Sequence, residues 1–135
     1  MSGMSTQMAA QPDRLLRRAL TADAIVVAMA GLALALSAGK LADPLGLSVS
    51  LLRLTGIGLL PYAAVLTFIA TRSSISRAAA WTIVGLNLCW TVASIGVLFT
   101  SLIDPSGWGV GFIVIQAVLV AIFAEVEGNE LRRSR

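Results

Sequence analysis

Polar and apolar positions alternate in blocks along this chain. Four apolar stretches, Ala22 to Gly39, Leu54 to Thr71, Ala78 to Phe99 and Trp108 to Ala124, are separated by short polar segments that carry nearly all the charge. A helix rises 1.5 Å per residue and a hydrocarbon core is about 30 Å thick, so about 20 apolar residues cross it. Each stretch is close to that length. The pattern predicts an all-α integral membrane protein with four spans over 22–39, 54–71, 78–99 and 108–124. Short connections make successive spans antiparallel neighbours in a four-helix bundle.

The segments between the spans supply the punctuation. Residues 1–11 are small and polar and are expected to form a disordered tail. Pro12 and Asp13 suit a first helical turn, which opens a four-span domain over 12–131, and 132–135 form a basic tail. Asp43-Pro44 and Gly46 are expected to stop the first span. Leu45 to Leu52 then reads as a short amphipathic segment lying on the interface. Asp104-Pro105-Ser106-Gly107 is a turn between spans three and four. Pro61 should bend the second span by freeing the carbonyl of Ile57.

Composition agrees with this placement. Apolar residues make up 57% of the chain and charged ones 13%, where a soluble domain is nearer about 25% charged. Mean hydropathy is +0.87. The net charge of +3 would suit nucleic acid, but the basic residues sit at span ends, where they serve topology and anionic headgroups. Of the 10 basic residues, Lys40 and Arg53 fall between spans one and two; the others, Arg14, Arg17, Arg18, Arg72, Arg77, Arg132, Arg133 and Arg135, share the side of the termini. The positive-inside rule puts both termini in the cytoplasm of a bacterial inner-membrane protein. The first span could also be a signal peptide, with Arg14, Arg17 and Arg18 as its basic region. Its apolar run is longer than such regions, and its removal would spoil the charge asymmetry, so an uncleaved span is expected.

The chemistry is sparse. Histidine is absent and Cys89 is the sole cysteine, which leaves no metal set, haem ligand or disulfide. No nucleophile–base pair and no phosphate-cradling glycine loop is present, so an enzyme is not favoured and neither cofactor nor metal is expected. Within the spans, Gly31, Ala35 and Gly39 form a ridge of small residues suited to helix packing or to a dimer seam. On span three, Asn87, Trp90, Thr91, Ser94 and Ser101 lie within about 100° of one another. Tyr62, Asn87 and Gln116 fall near the middles of spans two, three and four. Two readings of this polar layer stay open. The residues are hydrogen-bonding glue between helices, or, with Trp90, Thr91 and Phe112, they line a midplane pocket for an apolar ligand such as a quinone or a lipid. Asp23 and Glu127 are placed at the cytoplasmic boundary, in interfacial salt bridges with Arg72 and Arg77. With no acid at the midplane, a proton- or cation-coupled transporter is not expected.

Gly31-Leu32, Ala38-Gly39-Lys40, Asp43-Pro44-Leu45-Gly46-Leu47 and Leu52-Arg53-Leu54-Thr55-Gly56 resemble the first half of the DoxX-like group of small bacterial four-helix membrane proteins. The resemblance spans Ala19 to Ile69. It implies a four-helix bundle and, for some members, an accessory role beside membrane redox enzymes. No site residue carries over. The expected function is a non-catalytic accessory or assembly subunit of a membrane complex. The alternative is a binder or carrier of an apolar ligand. Expected partners are the lipid bilayer, another membrane protein or a second copy, and an apolar small molecule, with no nucleic acid.

Overall fold

The computed structural model describes the backbone from Ser2 to Arg133 and side chains from Arg14 to Arg133. Four helices follow one another, α1 (Ser2–Leu45), α2 (Val49–Thr71), α3 (Arg77–Val97) and α4 (Gly107–Arg133), with no strand among the described residues. Each contains a segment long and apolar enough to cross a membrane, of 32, 23, 21 and 27 residues in order. At 1.5 Å per residue these measure about 48, 35, 32 and 40 Å, so α1 and α4 outreach a bilayer core of about 30 Å. Both outer helices are longer than the apolar pattern implied. α1 begins before the expected span and runs through 2–11, within the tail expected to be disordered, whose side chains lie outside the described residues. α4 continues through Glu127 and Glu130 to Arg133, and the rest of the basic tail, 134–135, is outside the described residues.

The helix ends are closed by local hydrogen bonds. Gly46, at φ +67°, ends α1 in a left-handed turn, with its N–H donating to the Asp43 carbonyl and that of Leu47 to the Ala42 carbonyl. This paired pattern satisfies carbonyls that the last turn leaves free. The Ser48 hydroxyl then accepts from the Leu51 N–H and caps α2. The turn and its cap take up 46–48, so no separate interfacial segment forms over Leu45 to Leu52, and Asp43-Pro44 lies inside the last turn of α1 rather than stopping it. Ser76 caps α3 in the same way. Ser106 does double duty: its hydroxyl donates to the Pro44 carbonyl and accepts from Gly109, while its N–H donates to the Leu45 carbonyl. It thus ties the start of α4 to the end of α1. Gly109 is needed there, because a Cβ would collide with the Leu45 carbonyl.

At the opposite end, Arg17 closes α2. Its guanidinium donates to the carbonyls of Ala70, Arg72 and Ser73, where α2 has run out of partners of its own. α2 itself continues through Pro61 as one helix.

The packing order is α2–α1–α4–α3, with α2 and α3 barely in contact. One apolar cluster joins Leu16, Leu20, Val27, Leu66, Ile83 and Leu131, among others, in the half near the termini. A second, around Leu34, Ala38, Leu45, Leu52 and Ile113, fills the other half without a buried residue from α3. Between α1 and α2 the approach is backbone on backbone. A Cβ on Gly56 would stand 2.5 Å from the Ala35 nitrogen and 2.7 Å from the Gly31 carbonyl. Gly31 and Ala35 therefore do form part of a packing ridge, as expected from their spacing. Gly39, expected to continue it, is exposed and faces nothing within 4 Å.

Close approach of backbones is a main source of helix affinity in lipid, where burial of apolar surface provides none. Gly56→Ala should destabilise the bundle by about 1–3 kcal/mol, and Gly58→Ala, whose Cβ meets open space, should not. Reversible unfolding in mixed micelles compares the two.

Candidate functional site

Asn87, the middle residue of α3, is 3% exposed and holds three other helices by one side chain. Its Nδ2 donates to Asp23 Oδ2 on α1 at 3.0 Å and to Glu127 Oε1 on α4 at 3.2 Å. Its Oδ1 accepts from the Tyr62 hydroxyl on α2 at 2.5 Å. A carboxamide offers two N–H donors and one carbonyl oxygen, and all three functions are engaged.

The two acids are buried more completely than the amide that joins them: Asp23 is 2% exposed and Glu127 0%. Both carboxyls meet the same nitrogen, Asn87 Nδ2. The second oxygen of Glu127, Oε2, is buried with no partner. Asp23 and Glu127 were expected in interfacial salt bridges with Arg72 and Arg77; both carboxyls instead turn into the bundle onto Asn87. The ion pair among the described residues is Arg133 with Glu130, at 3.3 Å. The Arg72 guanidinium lies 4.1 Å above the Phe68 ring. The physical reason is helix length. Because α1 starts well before Ala22 and α4 ends well after Ala124, residues that the apolar pattern places at span ends are interior to their helices.

The buried stripes show this continuity. Leu16, Leu20, Asp23 and Val27 share one buried face of α1, and Ala124, Glu127, Gly128 and Leu131 one face of α4. Spacings of three and four residues keep each set on one side. Each acid thus replaces an apolar residue in a stripe that points into the bundle. Reading the stripe through the charged flanks, instead of stopping at the last apolar block, would have located both acids. Glu125, two residues earlier, is on the exposed side.

The expected polar layer splits in two. Tyr62 and Asn87 come together. Gln116 does not join them: its Oε1 accepts from Trp90 Nε1 at 2.7 Å and its Nε2 donates to the Ile113 carbonyl at 2.8 Å. Thr91 donates back along its own helix to the Asn87 carbonyl and lies 3.4 Å from the Ala117 carbonyl of α4. Phe112 and Trp90 are 36% and 40% exposed, so neither caps an enclosed pocket. Two surface hollows lie elsewhere, one along Val126 to Arg133 of α4 and the other around Gly46 to Leu51 and Leu102 to Asp104.

Four helices, each able to span a bilayer, closed around a buried acid–amide–acid group define an all-α multi-pass membrane bundle. Compared with known protein families, curated proteins and solved structures, the chain matches none.

Removing one hydrogen bond from such a group should cost little, and removing the amide much more. Interhelical bonds in membranes average about 0.6 kcal/mol, so Tyr62→Phe should fall near that value. Asn87→Leu leaves two buried carboxyls without their shared donor and should cost at least about 2 kcal/mol. Unfolding free energies of the two variants in mixed micelles check the ratio.

Proposed function

We propose that this protein is a small multi-pass membrane protein that takes up and releases a proton at Asp23 and Glu127, held by Asn87 inside its bundle, as the coupling site of a carrier. One observation carries the reading: two buried acids share one amide nitrogen. Ionisable side chains inside membrane spans are costly, and where they occur they mark ion pathways and proton relays. Two buried carboxyls gathered on one amide nitrogen repel each other when both are ionised, and a hydrogen or a cation held there relieves this. Asn87 fixes the geometry by donating to one oxygen of each acid, and Tyr62 fixes Asn87 in turn. The unpartnered Glu127 Oε2 leaves one lone-pair site free to receive what arrives.

The surroundings of this site belong to the same reading. Eight basic residues on the side of the termini favour a bacterial inner membrane with both termini in the cytoplasm. Asp23 and Glu127 then lie toward the cytoplasmic half. A role as an accessory subunit of a larger complex, in line with the DoxX-like resemblance, is compatible with a proton site and is tested separately by what co-purifies in mild detergent. An apolar-ligand pocket at Tyr62, Asn87 and Gln116 has less support, because Gln116 is tied to Trp90 and apart from the other two.

Infrared difference spectroscopy of the protein in lipid bilayers tests the proton. Wild type at neutral pH should show a carboxylic-acid C=O stretch that shifts in D2O and is lost in Asp23→Asn/Glu127→Gln. A wild-type spectrum containing ionised carboxylates and no such stretch would overturn the reading.

A further inference from the structure

Of the four neighbouring pairs that a closed bundle would make, three are in extensive contact and one is not. α2 and α3, although joined by a short link, scarcely touch. The gap lies in the half away from the termini. All the buried residues of α3, Ala80, Ile83, Val84 and Asn87, precede Leu88, and none of the following residues to Val97 is buried. On α2 the buried residues before Tyr62 are Leu52 and Gly56. Gly56 faces Gly31, Leu34 and Ala35 of α1, so it does not fill the gap. The seam between α2 and α3 is therefore open to the bilayer down to Tyr62 and Asn87, and the hydrogen bond between those two side chains spans it. Immediately behind Asn87 stand Asp23 and Glu127.

We propose that the α2–α3 seam is a lateral entrance from the bilayer to the acid pair, latched by Tyr62 and Asn87, and that it admits a hydrophobic organic cation bearing one positive charge. This rests on the proton-binding reading above and names what exchanges with the proton. Charge complementarity selects the ligand. The inner end of the seam is acidic, which excludes anions. The exposed surfaces of α2 and α3 are largely apolar, Ile57, Leu88 and Val92 among them. A small hydrated ion approaching through hydrocarbon would have to shed its water at great cost. A cation whose charge is wrapped in apolar groups partitions into the bilayer and reaches the acids without that penalty. The second oxygen of Glu127, buried and unpartnered, is the acceptor available to it. Arrival of the positive charge between the carboxyls releases the proton they share, so charge in the site is conserved.

Binding of tetraphenylphosphonium to the full chain in lipid nanodiscs tests this, with tetraphenylborate as a probe of the same shape and opposite charge. Wild type should bind the phosphonium saturably, with release of a proton into weakly buffered solution, and take up the borate by unsaturable partitioning. Asp23→Asn/Glu127→Gln, shown to be folded by circular dichroism, should weaken phosphonium binding by at least about tenfold. Tyr62→Phe, which removes the latch and leaves both acids, should speed association. Equal, unsaturable uptake of both probes, or undiminished binding by the acid-free variant, would overturn the cation site. An unchanged association rate in Tyr62→Phe would overturn the seam as the route. If the carboxylic-acid stretch is present and saturable binding is absent, this inference fails while the proton site stands; if the stretch itself is absent, the proton site fails first.

Discussion

In a bilayer there is no water to satisfy a buried polar group, so every such group must find its partner within the protein. Asn87 is where this constraint acts hardest. Its carboxamide links α3 to α1, α2 and α4 at once, and it does so through groups that would be costly to leave unpaired. Apolar surface alone does not tell one helix face from another in lipid. A carboxamide with three engaged functions does, because rotating any of the four helices by a turn fraction would strand a carboxyl, a hydroxyl or the amide itself. The register of the bundle therefore depends on this group.

Two further contacts support that register from the ends. Ser106 and Gly109 fasten the start of α4 to the end of α1, and Arg17 fastens the end of α2 to the inner part of α1. Between them, Gly31 and Gly56 let α1 and α2 approach backbone to backbone. No comparable device joins α2 to α3. There the Tyr62–Asn87 bond stands in for packing, which makes the seam the weakest wall of the bundle.

The spans were legible in the sequence because a block of apolar residues about 20 long has few alternatives. So were Gly31 and Ala35, from their four-residue spacing, and the meeting of Tyr62 with Asn87, from their depth. Asp23 and Glu127 were misplaced for a physical reason. Hydropathy marks where apolar blocks end, whereas a helix ends where its hydrogen bonds and caps end, and α1 and α4 carry their buried faces well past the blocks. Gln116 was grouped with Asn87 on depth alone. Depth does not fix azimuth, and on its helix Gln116 faces Trp90 instead. Gly39 shares the four-residue spacing of Gly31, but eight residues at about 100° each turn it about 80° round the helix, where it faces nothing within 4 Å.

The central claim is that one amide holds two acids inside the membrane. Solid-state NMR on the protein in lipid bilayers measures this directly, by dipolar dephasing of the Asn87 side-chain nitrogen against carbon-13 in the carboxyls of Asp23 and Glu127. Dephasing by both carboxyls, at hydrogen-bonding range, is the expected result. Dephasing by neither, with the two acids instead close to arginine side chains at the bilayer surface, would contradict it.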